Sequence, residues 1–372
     1  MLALRQAMPV GYDWFHYYYP TARAWLSGES RLYDAATAGF YSPPWTVWLL
    51  APLAVFDLRT GMAALTLASV AAIVGVALVH ARASGAGRPG LVAALVVLCP
   101  YTLQVVLVGS LDGLSLLGLY VAYRCLLRDR RAGFGAALVL AAIRPQNLVL
   151  TAPVLVVLAY RRWGAAGLLR AAAVPAGVLL ACAAAFGPDW PLRWYEAWRA
   201  YPPIPYLVTS TYAATNLAGV PAALVAAGMV ALAAHVLWSA WRAGALPKSP
   251  SPLVGEGRGE GVSGAPRARQ LISVFDLAVA VNAAVSPYML SQSFSVLLAL
   301  PWAGLAARRP RSAAALYLLS LPLLLRAGGL WDRIGLIDVC FPLLLSAVLL
   351  ADVARQPAQQ QVEREGQDNK TG

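Results

Sequence analysis

One carboxylate in this chain stands in unusual company. Asp13 lies among Tyr12, Trp14, Phe15, Tyr17, Tyr18 and Tyr19, at the start of the stretch GYDWFHYYYPTARAWLSGESRLYDAATAGFYSPPW, Gly11 to Trp45. A carboxylate packed among rings loses water, so its pKa rises toward the range useful to a general base. Aromatic faces also suit sugar rings, whose C–H faces pack on π-systems while their hydroxyls bond to polar neighbours. A second residue of interest is Arg144, which interrupts an apolar block in the sequence Arg144-Pro145-Gln146. An arginine at membrane depth is costly unless it faces a polar cavity or snorkels to a headgroup. A base, aromatic walls and an arginine facing the same side suit a polar substrate that carries a phosphate. Asp112, just after Gly109-Ser110, is either a second acid or hydrogen-bonding group, or the N-cap of the helix that follows; the N-cap reading is slightly favoured.

These groups need a scaffold, and composition says which kind. Of the 372 residues, 59% are hydrophobic and 12% charged, against about 25% charged in soluble domains. The apolar residues come in continuous blocks. That excludes a soluble enzyme and an alternating outer-membrane barrel, and predicts an all-α, polytopic membrane helix bundle. The blocks are Pro44–His80 (interrupted near Pro52 and Asp57), Leu91–Val108, Leu111–Leu127, Gly133–Tyr160, Ala165–Phe186, Leu217–Trp241, Leu271–Val285, Tyr288–Ala306, Ala313–Leu325 and Ile334–Val353, which predicts about nine to eleven membrane segments. The net charge of +12 sits in short clusters between blocks, the positive-inside pattern, so nucleic acid is not an expected partner. The four cysteines and three histidines are scattered, and no disulfide or zinc site is expected. With no acidic pair in the pattern, no metal and no cofactor are expected.

Placing Arg82/Arg88, Arg124–Arg131, Arg161/Arg162, the Arg242–Arg269 loop and Arg308–Arg311 in the cytoplasm puts residues 1–43 and 187–214 outside. Pro44–His80 must then be one crossing plus a partial helix, or else the Arg82/Arg88 loop lies outside. Gly133–Tyr160 has basic residues at both ends, so it must be two short helices that turn at Arg144-Pro145, where proline disfavours helix. The expected organisation is an outer loop 1–43 with Asp13, a bundle 44–245 with outer loop 187–214, a Pro/Gly/Ser-rich disordered cytoplasmic loop 246–270, C-terminal membrane helices 271–355, and a polar tail 356–372.

The pattern of Asp13, a Tyr-rich helix, Gly28, Tyr33 and the FYSPPW turn (Phe40 to Trp45) resembles the first outer loop of polytopic GT-C glycosyltransferases. It is most similar to the GT87 group of polyprenyl-phosphate-sugar-dependent, mannosyltransferase-like proteins. GSLDGL (Gly109 to Leu114), AAIRPQ (Ala141 to Gln146) and the segment Ser286-Pro287-Tyr288 follow in the family's order. The resemblance implies a multi-pass enzyme of the bacterial cytoplasmic membrane with its site facing the periplasm. It would move a hexosyl unit, such as mannosyl, from a polyprenyl-phosphate sugar to a lipid or glycan acceptor hydroxyl.

It makes Asp13 the base and Arg144 the donor-phosphate ligand, with Arg326, Arg333, Arg193 and Arg199 as outer-side alternatives. Tyr17, Tyr18, Tyr41, Trp45, Asp112, Gln146, Tyr288 and Gln292 would line the cavity. Three departures stand out: Gly109-Ser110 where the family has Gly-Gln, Gln292-Ser293 where it often has His or Asp, and only Met1–Tyr12 where it has a first membrane helix. The last leads to the expectation of a start further upstream, or of a truncated, non-catalytic copy. A flippase or transporter of lipid-linked sugars is the competing class; it ranks second because few charges fall at span centres and no repeat is visible.

Overall fold

The structure, a computed structural model, describes residues 10–28, 31–34, 39–200, 219–243, 265–286, 291–321 and 341–354. Every regular element among them is a helix, as expected of a lipid-embedded chain whose backbone groups must pair within each segment. The expected features in 1–9, most of the loop 246–270, the tail 356–372, and the residues Tyr288, Arg326 and Arg333 lie outside the described residues, as does the side chain of Gln292.

A single π turn, Trp14–Tyr18, leads into α1 (Tyr19–Leu26). Then come α2 (Trp45–Ala54), α3 (Leu58–Ala83), α4 (Pro89–Leu98), α5 (Pro100–Val108), α6 (Asp112–Leu127) and α7 (Arg131–Ala141). A 3₁₀ turn, Pro145–Leu148, precedes α8 (Thr151–Phe186), which is followed by α9 (Trp190–Arg199), α10 (Ala222–Ala243) and α11 (Ala265–Val285). The last described elements are α12 (Ser295–Arg308), α13 (Pro310–Ser320) and α14 (Phe341–Ala354). Helix α11 starts at Ala265, inside the stretch read from composition as the loop 246–270.

Among the described residues, three helices are long and apolar enough to cross a membrane: α3, α8 and α10. The pair α4–α5, bent by 55° at Cys99-Pro100, makes a fourth. This is fewer full-length spans than the apolar blocks suggest. Prolines and one glycine cut several blocks into shorter pieces. Proline removes a backbone donor and clashes with the preceding turn; Gly164 takes φ 68° and ψ −176°, which divides α8 into 151–163 and 165–186. The ambiguous block Pro44–His80 divides at Asp57. Its carboxylate accepts from the Arg59 and Thr60 amides and caps the 26-residue α3. At about 1.5 Å per residue, α3 spans about 39 Å, while α2, with 10 residues, is the partial helix.

Helices α6 and α7 form a tight hairpin, with α3 against the first turn of α6. Small residues allow these approaches, as is usual where helices meet in lipid. A methyl group at Gly113 would sit 2.6 Å from the Ser69 carbonyl oxygen, and one at Gly118 would sit 2.8 Å from that of Ala137. Two buried apolar layers result. One gathers α3 to α8 and α10 to α14 around Tyr101, Tyr123, Phe275 and Trp302. The other packs Trp14, Tyr18, Leu32 and Phe40 of the N-terminal stretch against Val47, Met62, Cys182 and Trp190. Cys99, Cys125 and Cys182 are buried and free.

The fold also buries charges that look sparse in the sequence. His80 Nε2 lies 2.8 Å from Asp276 Oδ1, Arg308 Nη2 lies 3.3 Å from Asp276 Oδ2, and Arg308 Nε lies 3.1 Å from Asp352 Oδ2. This cluster ties α3, α11, α12 and α14 together at the end of α3 nearest Arg82. Spacing along the chain hides it, because its members come from four different helices far apart in sequence.

Candidate active site

One helix start and two breaks between helices meet at one point. Each exists for a local reason. In the first, Trp14 is fully buried and its indole donates to the Leu58 carbonyl at 2.8 Å, which pins the residue next to Asp13. Gly11 permits the approach: a Cβ there would lie 2.6 Å from Gly109 N and from Val108 C. In the second, Gly109 ends α5 in the left-handed conformation, φ 73°, a region that glycine enters without strain. Ser110 and Asp112 follow it directly. In the third, Arg144 adopts φ −124° and ψ 82° before Pro145, the non-helical conformation that a following proline favours.

Arg144 is the junction. Its Nη2 donates to Asp13 Oδ2 at 3.1 Å and to Ser110 Oγ at 2.6 Å, and its Nε lies 3.5 Å from Asp112 Oδ2. The guanidinium carbon stands 5.9 Å from the centroid of the Tyr18 ring. Arg144 is therefore buried among partners and does not snorkel. Asp112 is fully buried and makes no N-cap hydrogen bond; Leu111 occupies the cap position. The favoured reading of Asp112 as an N-cap is thus corrected. Its carboxylate instead accepts from the Ser110 hydroxyl and, at 3.3 Å, from Asn147 Nδ2. The acidic pair missing from the sequence pattern exists in space, with the arginine's own cation between the two carboxylates. Among the described residues, no group of three or more His, Cys, Asp or Glu side chains is placed to hold a metal.

Asn147 and Asn282 belong to this centre, and sequence reasoning missed both. Asn147 also donates to Ser115 Oγ at 3.2 Å. Asn282, on α11, accepts from the Leu150 amide at 2.7 Å and donates to the Gln146 carbonyl at 3.0 Å. It supplies the partners that the chain break at 144–150 would otherwise lack. An asparagine two residues beyond Arg-Pro, and one near the end of an apolar helix, are the only sequence signals for them.

Burial is the largest influence on Asp13 and pushes its carboxyl above the usual aspartate range. The Arg144 charge and hydrogen bond oppose this, and the nearby Asp112 charge adds to it. Asp13 and Arg144 each keep a small open side, 13% and 11% of the side chain exposed, whereas Asp112 has none.

The other candidates divide. Tyr18 lies against Arg144, while Gln146 is buried in the 3₁₀ turn and offers its carbonyl to Asn282. Tyr17 packs on Gly39 and meets Tyr12. Tyr41 uses its carbonyl to accept from Trp194 at 2.8 Å and Trp198 at 3.2 Å, and the Trp45 indole donates to Val139 O at 3.1 Å. These contacts build an aromatic roof from α9 and the FYSPPW turn. Arg193 is engaged there by Asp189, at 3.0 Å, and by the Leu32 carbonyl, at 3.2 Å. Arg199, also on α9, ends that helix.

A buried arginine held between acids from a loop before the first long helix and from the helix after a Gly-Ser turn is a specific arrangement, and it meets a specific match. The profile of glycosyltransferase family 87 matches residues 40–251. The chain belongs to glycosyltransferase family 87. It is a polytopic membrane protein of GT-C type, and family membership implies transferase activity toward a sugar donor and an acceptor. The matched span includes Ser110, Asp112, Arg144 and Asn147, and Asp13 precedes it. Comparison with curated proteins and with solved structures gives no match.

Proposed function

We propose that this family 87 protein transfers a hexosyl unit, such as mannosyl, from a polyprenyl-phosphate sugar to a lipid or glycan hydroxyl at the outer face of a bacterial cytoplasmic membrane. The observation that carries this reading is the 3.1 Å contact between Asp13 and Arg144, a base and a phosphate-binding cation, in one partly open, aromatic-walled site. Asp13 takes the proton of the acceptor hydroxyl as its oxygen attacks C1 of the sugar. The C1–O bond to phosphate breaks, and its electron pair passes to the phosphate oxygen, with inversion at C1. The phosphate goes from a singly charged diester to a more highly charged monoester. A cation beside it therefore binds the transition state more tightly than the ground state. Tyr18, beneath the guanidinium, leaves its planar fork aimed in one direction. The outer placement follows from the basic clusters at the opposite end of α6, α7 and 151–163.

The test is transfer of radiolabelled sugar from a polyprenyl-phosphate sugar by the purified full-length protein in detergent. Arg144→Gln is expected to raise the donor KM and lower kcat by about 10²-fold or more, and Arg144→Lys to fall between. Unchanged donor kinetics in Arg144→Gln contradict the phosphate role.

A further inference from the structure

Arg144 has two carboxylate partners, and they are not equivalent. Asp112 is fully buried and is held by Ser110 and Asn147 as well as facing Arg144 Nε at 3.5 Å. Asp13 sits at the rim with part of its surface open, and Arg144 is the one side chain among the described residues that hydrogen-bonds it. The guanidinium nitrogen that binds Asp13 is Nη2, the same nitrogen that Ser110 holds from the inner side at 2.6 Å. Both hydrogens of Nη2 are engaged, one by Asp13 and one by Ser110, so a phosphate oxygen that bonds this nitrogen has to displace Asp13. While that contact lasts, the Arg144 charge and hydrogen bond on Oδ2 stabilise the carboxylate and make Asp13 a weaker base for the acceptor.

We infer that Asp13 and Arg144 form a resting latch that the donor phosphate opens, and that Asp112, with Ser110, is the positioning group that keeps Arg144 in place once Asp13 has let go. The inference rests on the reading of Arg144 as the phosphate ligand. It assigns Asp112 a role other than second acid. It also makes Asp13 a stronger base once the arginine has turned to the donor phosphate, which favours one order of substrates: donor first, acceptor second.

The physical argument is one of competition and of sign. A phosphate and the Asp13 carboxylate are both anions competing for one partly buried cation, so removing the Asp13 charge removes a competitor. Asp112 is an anion too, and by charge alone its removal would also favour a phosphate. If Asp112 instead holds Arg144 in position, its loss lets the guanidinium swing out of line and leaves Ser110 and Asn147 with an incomplete set of partners. The two aspartates then have opposite effects on the same ligand.

The experiment is equilibrium binding of methyl farnesyl phosphate, a diester with a constant single charge in the neutral range, to the full-length protein in detergent. Asp13→Asn is expected to tighten binding about threefold to tenfold, and Asp112→Asn to weaken it by a similar factor. Ser110→Ala, a smaller change, should weaken it in the same direction as Asp112→Asn and serves where Asp112→Asn does not fold. Wild type should bind the diester more tightly as the pH falls and Asp13 becomes protonated; Asp13→Asn should show no such trend. Equal tightening in both aspartate variants, or no change in Asp13→Asn, overturns the latch. Loss of binding in Arg144→Gln alongside either of those results leaves the phosphate reading intact and sinks only the latch. Unchanged binding in Arg144→Gln removes the phosphate reading itself.

Discussion

Arg162 reaches back across 33 residues to Asp129, with Nε 2.7 Å from Oδ1 and Nη2 2.9 Å from Oδ2. The contact brings the start of α7 and the end of 151–163 to the same side of the molecule, and Trp163 adds a 2.7 Å hydrogen bond to Asp129. The intervening turn at Arg144 therefore points the other way, toward Asp13. Basic residues cluster at the Asp129 end, so that end is expected in the cytoplasm. In a cysteine-free background, Ala132→Cys should react with a membrane-impermeant maleimide only after cells are permeabilised, and Glu196→Cys on α9 should react in intact cells. The reverse pattern would place the Asp13 site inside.

The Gly113 position sets the distance between α3 and the turn that carries Ser110 and Asp112. A Cβ there would meet Ser69 O at 2.6 Å and Ser69 Cα at 2.8 Å. Gly113→Ala is expected to lower stability by about 1–3 kcal/mol through overpacking, despite the gain in helix propensity. Gly75, on α3, has nothing within 4 Å of such a methyl group. Gly75→Ala should be neutral or slightly stabilising, by up to about 1 kcal/mol. Thermal unfolding in detergent compares the two, and equal shifts would show that the α3–α6 approach is slack.

Asn282 is expected to matter for the site without touching it. Asn282→Leu leaves the Leu150 amide and Gln146 carbonyl without their buried partner, each worth about 1–3 kcal/mol when orphaned. The predicted result is a lower melting temperature together with a higher donor KM, because Gln146 and Asn147 follow Arg144 directly. A lower melting temperature with wild-type kinetics would show that the 3₁₀ turn is held by other contacts.

The helical class and the break at Arg144-Pro145 are legible from the residues because they depend on runs of apolar side chains and one proline, all local in the chain. The same is true of Asp13 and Arg144 as chemical candidates, since both are charges in apolar or aromatic surroundings. What sequence does not show is pairing between residues on elements far apart in the chain. Asn282 is 136 residues from the Gln146 carbonyl it binds, and His80 is far along the chain from Asp276. The misread cap has a physical cause as well. Asp112 follows a Gly-Ser turn, where a short acid normally bonds the helix amides, but here the Ser110 hydroxyl, Asn147 and the Arg144 cation outcompete them. The backbone carbonyl of Tyr41 and the indole of Trp45 also brace α9 and α7, contacts that sequence does not show.

The rate of transfer should carry the signature of a buried base. Asp13 acts as its carboxylate, and burial favours the neutral acid over the ordinary value of 3.8. The acidic limb of the kcat/KM profile is therefore expected above the usual aspartate range, with activity lost as the pH falls through it. The same shift makes the folded chain bind this proton more readily than the unfolded chain, so the contribution of Asp13 to stability grows as the pH falls. A profile whose acidic limb follows an ordinary exposed aspartate would mean that Asp13 is solvated when the reaction occurs.

The most direct measurement is single-turnover transfer by Asp13→Asn at saturating polyprenyl-phosphate sugar. The variant keeps the size of the side chain but loses its charge and cannot take a proton. The account predicts a fall of about 10²–10⁴-fold in the rate of transfer, with donor binding retained or tighter. Transfer at the wild-type rate by the purified variant would contradict it and remove Asp13 from the chemistry.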